Sequence, residues 1–147
     1  MLIPCGPVGY VAAALLAACT LLSAAPASSQ QVVANESTDV KALDLHTLRA
    51  IFGMRLTEWP NGSRVVVFVM DPDSQIHTTF AKRRLRLFPY QLTQAWDRLV
   101  FSGTGQAPVE VRTPTEMRRR LLATPGAIGY LPTNLSTGDL LIVEITE

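Results

Sequence analysis

Asp71-Pro72-Asp73-Ser74, with His77 and Thr78 close behind, places two carboxylates, two hydroxyls and an imidazole within eight residues. The run follows directly on the apolar stretch Val65–Met70. A strand ending at Met70 and a helix starting after Ser74 would aim the first backbone N–H groups of that helix, with the Ser74 hydroxyl, at one point. Aligned peptide dipoles and unpaired donors make such a point attractive to anions. His77 and Thr78 fall in the first turn and add donors. Asp71 and Asp73 oppose a fully charged anion, but a carboxylate there accepts a proton from a protonated oxyanion. The expected ligand-binding set is Ser74, His77, Thr78 and Asp71, and a plain N-cap by Asp73 or Ser74 fits the same residues.

Other chemistries find little support. The two histidines are His46 and His77, the two cysteines Cys5 and Cys19 lie near the amino terminus, and no paired-carboxylate or metal-ligand spacing occurs. Ser74 and His77 form an i, i+3 pair without a third group or a nucleophile motif. Neither a catalytic residue, a metal nor a cofactor is expected. His46 lies off the apolar stripe of its helix and reads as an exposed polar residue.

The elements that must position this loop follow from periodicity and punctuation. Gln31–Ala34 reads as a first strand. Asp44 caps a helix with Leu45, Leu48, Ile51 and Phe52 at helical spacing and Gly53 at its end. Trp59-Pro60-Asn61-Gly62 is a turn, and Val65–Met70 is a strand covered on both faces. A helix is expected from Gln75 to about Arg84. Another begins at Pro89 with an apolar stripe of Leu92, Ala95, Trp96, Leu99 and Val100. Val109–Val111 is a brief strand. Thr113-Pro114-Thr115-Glu116 is a capping box for a helix to about Ala123. Pro125-Gly126 reverses the chain into the strand Ala127–Tyr130, where Gly129 lets another backbone or a ligand come close. Leu140–Ile145 is a last strand. Strands alternating with helices predict an α/β domain with a mostly parallel sheet, in which ligands sit beyond the carboxyl ends of the strands.

The first 27 residues read as a signal peptide: Val8–Leu22 is almost unbroken apolar sequence, leading to Ala25-Pro26-Ala27. Leu16-Ala17-Ala18-Cys19 also fits a lipobox, so export to the periplasm and a lipoprotein anchored through Cys19 both stay open. Residues 28–147 are enough for one domain. Thirteen basic against twelve acidic residues leave a net charge of +1, which argues against a general nucleic-acid binder. The basic residues nonetheless cluster at Lys82-Arg83-Arg84, Arg86 and Arg118-Arg119-Arg120, as solvated helix faces or as an anion, lipid or partner surface.

Leu48-Arg49-Ala50-Ile51-Phe52-Gly53, Trp59 with Asn61-Gly62, the apolar strand with Ser74 and Phe80, and Pro125-Gly126-Ala127-Ile128-Gly129-Tyr130 together resemble phosphate-binding proteins of ABC transporters, in particular small single-lobe relatives. The resemblance implies a single periplasmic-binding-protein-like lobe that is exported and binds phosphate or a similar oxyanion, with an ABC permease or another protein as partner. In that family an Arg-x-Asp-Gly-Ser-Gly-Thr loop holds the anion. Aligning its serine on Ser74 puts Met70 at the arginine, Pro72 at the aspartate, Asp73 at the first glycine and Gln75-Ile76 at Gly-Thr. Losing the guanidinium removes a charge-assisted contact and implies weak capture. The alternative is a non-transport module that reuses the lobe for a protein or membrane partner.

Overall fold

A computed structural model describes residues 29–147, so the signal-peptide and lipobox readings lie outside the described residues. Strands β3 (Val66–Met70), β4 (Val109–Val111) and β5 (Ala127–Pro132) are mutually parallel, in the order β4-β3-β5. Beyond β5 lie β1 (Gln30–Ala34), antiparallel to it along five residues, and the short β6 (Leu141–Ile142), antiparallel to β1. Only β1 runs against the other strands, so the mostly parallel sheet expected from the alternating pattern is present. Strands β3 and β5 occupy the interior of the sheet, which is why both are continuous apolar runs.

Helices cover both faces. Helices α1 (Leu45–Phe52), α2 (Gln75–Phe80) and α3 (Pro89–Ser102) share one side, and α4 (Pro114–Ala123) lies on the other. The alternation within β5 divides the two cores. Tyr130 stacks on Phe80 at 3.8 Å between ring centroids, and Phe52 packs 4.8 Å from Phe80. The next residue back, Gly129, faces α4. A Cβ there would lie 2.8 Å from Met117 Sδ and 3.3 Å from Leu121, so the space left by this glycine is filled by a helix.

Three local expectations change. The stretch Leu140–Ile145 is not one strand: it divides into β6 and β7 (Glu144–Thr146), and β7 pairs in parallel with β2 (Ala42–Asp44), which periodicity did not reveal. Val143 is the corner, buried with its N–H donating to Val32 O while Glu144 N–H donates to Lys41 O. Helix α2 widens into a π turn over Ala81–Leu85 and stops at Arg86, in the left-handed region with φ 54°. On α3, Leu92 and Trp96 are buried, but Val100 is 48 % exposed, so the apolar stripe is narrower than its composition. Gly53 ends α1 as expected, with φ −78°, and Met54 after it takes the left-handed conformation (φ 61°). Gly53 is required for space, since a Cβ would sit 2.9 Å from Arg49 O.

The Pro125-Gly126 turn joins both halves of the sheet. Gly126 O accepts from Trp59 Nε1 (2.9 Å) and from Val66 N–H (3.0 Å), while Gly126 N–H donates to Ser37 Oγ (2.9 Å). Its φ is +75°, and a Cβ would lie 2.2 Å from Arg64 O. Nearby, Asn35 Nδ2 donates to Leu121 O and Leu122 O, satisfying carbonyls at the end of α4. Gly62 has a similar φ of +83° with no atom within 4 Å of a Cβ. Gly62→Ala should therefore cost only the left-handed strain of about 1–2 kcal/mol, and Gly126→Ala at least about 3 kcal/mol because backbone must also move. Urea midpoints of the two variants test this, and equal losses would contradict the role given to the Gly126 turn.

Candidate functional site

The loop after β3 closes on itself. Asp71 Oδ1 accepts from Asp73 N–H at 2.8 Å, and Ser74 N–H donates to Asp71 O at 2.9 Å. Ser74 is the N-cap of α2, its Oγ accepting from His77 N–H at 3.2 Å, and Thr78 N–H makes the first helical bond to Ser74 O at 3.0 Å. Two donors remain at the helix start: the N–H groups of Gln75 and Ile76 have no partner among the described residues. The Ser74 hydroxyl, having accepted from His77 N–H, keeps its own proton to donate. Asp71, Asp73 and Gln75 are exposed and Ser74 and Thr78 half-buried, so this cluster faces solvent.

His77 is not at that surface. Its residue exposure is 0 %, and its ring is turned into the core beside Tyr130 and Trp96. Met70 N–H donates to Tyr130 Oη at 2.8 Å, and Tyr130 Oη lies 2.8 Å from His77 Nδ1. A phenol that accepts from Met70 N–H has its proton available for an unprotonated Nδ1, and burial favours the neutral imidazole. Nε2 is buried without a hydrogen-bond partner. Of the four expected ligand residues, Asp71, Ser74 and Thr78 share the loop and first turn, while His77 supports that turn from beneath. Burial pushes the Tyr130 phenol up, out of the titrating range.

One residue at this end was missed by reading the sequence. The parallel register sets Met70 beside Val111, so Arg112, at the carboxyl end of β4, follows alongside Asp71. Neighbouring strands are about 5 Å apart, so the backbone of the exposed Arg112 lies beside that of Asp71. Its guanidinium has no partner among the described residues. Arg112 N–H is held by Glu116 Oε2 (3.0 Å), while Thr113 Oγ1 accepts from Glu116 N–H (3.1 Å). The capping interaction expected at Thr113 thus forms, with Glu116 reaching one residue further back. Pairing between strands distant in sequence supplies this neighbour, and no local spacing signals it.

Burial lowers the pKa of His77 below the ordinary value of 6.5, with the carboxylate of Asp71 pulling partly the other way. The unfolded chain therefore binds a proton that the folded chain does not, between the lowered value and 6.5. Stability from this site is present above about pH 6.5 and lost as pH falls. Thermal unfolding between about pH 7.5 and 5.5 should show a falling midpoint that His77→Gln flattens. An identical slope in the variant would contradict the buried neutral imidazole.

No family model matches this chain, and no curated protein matches it. Solved structures do. An ABC-type phosphate transport receptor from Vibrio cholerae superposes with TM-score 0.60 at 12 % identity over 80 % of this chain and 46 % of its own. A Clostridium perfringens protein, assigned as a phosphate ABC transporter substrate-binding protein and containing bound phosphate, gives 0.63 at 16 % over 80 % and 44 %. PstS from Borrelia burgdorferi gives 0.60 at 11 % over 81 % and 47 %. The chain spans less than half the length of each of these proteins, and at these identities the likeness establishes the fold. It has the mixed α/β lobe architecture seen in phosphate ABC transporter substrate-binding proteins.

Proposed function

We propose that this chain is an exported solute-binding-like protein that holds phosphate or a similar oxyanion, weakly, at the start of α2. The observation that carries the reading is the pair of unpartnered N–H groups of Gln75 and Ile76 beside the Ser74 hydroxyl at the carboxyl end of β3. In this arrangement the two amides and the hydroxyl donate to anion oxygens, and Arg112 supplies the cation that Met70 does not. Asp71 uses Oδ1 for Asp73 N–H and has Oδ2 to accept the proton of a singly protonated phosphate. That acceptor would favour phosphate over sulfate, which carries no such proton near neutral pH. Thr78, in the first turn, offers a further hydroxyl donor. Weak binding follows from the open surface, where solvent competes for every donor.

The solved structures named as phosphate receptors support the ligand class, and their transport role suggests an ABC permease or another protein as partner. Export, to the periplasm or to a membrane surface through Cys19, is part of the same proposal. Among the described residues no helix is long and apolar enough to cross a membrane. A second reading, an interaction module, is favoured by one observation: Phe88 and Tyr90 stack in the open at 5.8 Å, 54 % and 60 % exposed, with Lys82 over the Phe88 ring.

Titration calorimetry with phosphate, with sulfate as comparison, separates the two. The oxyanion reading expects phosphate heat that Ser74→Ala reduces and Arg112→Gln weakens by about tenfold or more, the worth of one charge-assisted hydrogen bond. Absence of phosphate heat at millimolar concentration, or heat unchanged in both variants, would overturn it and leave the module reading.

A further inference from the structure

A second groove lies at the opposite, amino end of β3. About 690 Å³ separates the segment after α1 from the segment after α3, with Arg55, Thr57, Arg64, Leu99 and Gln106 on its walls. It runs into a hollow of about 260 Å³ beside Val65 and Pro108, and Met54 and Arg64 line both.

Both walls are fixed by backbone geometry. On one side Met54 turns through the left-handed region, and the N–H groups of Arg55 and Leu56 both donate to Ala50 O, at 2.9 and 3.1 Å. The chain then folds back through Trp59 N–H to Ser63 O (2.8 Å) and an antiparallel bridge between Glu58 and Arg64. On the other side Thr104 and Gly105 N–H both donate to Leu99 O, and a Cβ on Gly105 would press 3.2 Å from Leu99 Cβ. Walls set in advance lower the ordering cost of binding.

The groove is amphipathic, and its two arginines outnumber its one carboxylate, Glu58. Arg64 reaches only Gln106 Oε1, at 3.4 Å, and Arg55 has no side-chain hydrogen-bond or ion-pair partner among the described residues. Glu58, the carboxylate on the same rim, pairs with neither; the ion pairs among the described residues are Arg86–Glu147 and Arg120–Glu116. The floor is apolar, from Met54, Val65 and Leu99. Two guanidiniums without an ion-pair partner among the described residues, above apolar side chains, match an organic anion better than an inorganic one, because bare phosphate or sulfate gains nothing from the floor.

We propose that this groove binds a small organic anion with one oxyanion head, a carboxylate, sulfonate or phosphate monoester, and a short apolar body. Arg55 and Arg64 hold the head, and the body lies on Met54 and Leu99. This site is independent of the α2 loop, since the length of β3, roughly 13 Å, separates the two ends of the sheet.

Calorimetric titration of the protein with benzenesulfonate, against sodium sulfate, tests the assignment. Binding of benzenesulfonate but not sulfate is expected, weakened about tenfold or more by Arg55→Gln and by Arg64→Gln and unchanged by Ser74→Ala. Both arginine side chains are exposed, so the variants should retain the wild-type unfolding midpoint. No benzenesulfonate heat, equal binding in the arginine variants, or loss in Ser74→Ala would each overturn the proposal. Failure of the phosphate reading at the α2 loop leaves this result unaffected.

Discussion

The hydroxyl of Tyr130 is the point at which strand, helix and loop meet. It accepts from the last amide of β3 and hydrogen-bonds the imidazole in the first turn of α2, so a single buried atom fixes both sides of the Asp71–Ser74 loop. The ring below it stacks on Phe80 at the other end of α2, with interplanar angle 9°. A buried amide such as that of Met70 would lose about 1–3 kcal/mol without its acceptor. The loop's own hydrogen bonds run within it and to the start of α2, and its shape is inherited from this network. His77 contributes to the site by holding the helix start from inside.

Much of this was legible in the sequence, for identifiable reasons. Asp44, Ser74 and Thr113 stand where short polar side chains cap helices, and all three do so in the structure. The Pro-Gly turn and the apolar runs of β3 and β5 are local signals that tertiary packing reinforces. The division of Leu140–Ile145 was not legible, because Val143 is apolar like its neighbours and only the presence of β1 on one side and β2 on the other splits the run. For the same reason a three-residue strand at Ala42–Asp44 has no pattern of its own. The site was half visible: Ser74 and Asp71 follow from cap and turn chemistry, whereas Arg112 reaches the loop through strand register, and the burial of His77 depends on a tyrosine fifty-three residues away.

As proposed, the two ends of β3 would hold an anion in opposite ways. At the carboxyl end, the proposed donors are mainly backbone amides oriented by a helix start, with a flanking carboxylate to accept a ligand proton. At the amino end, two guanidiniums stand over an apolar floor whose walls are set by the turn after α1 and the turn after α3. A lobe architecture shared with phosphate-binding proteins therefore does not by itself fix the ligand, since each end draws on different side chains.

The most direct test of the central claim, that the start of α2 is an oxyanion site, is a phosphate titration followed by amide ¹H–¹⁵N shifts. The largest movements are expected at Gln75 and Ile76, with Met70 little changed because its N–H is already committed to Tyr130. Shifts absent from Gln75 and Ile76, or spread evenly over exposed basic segments such as Lys82–Arg86, would contradict it.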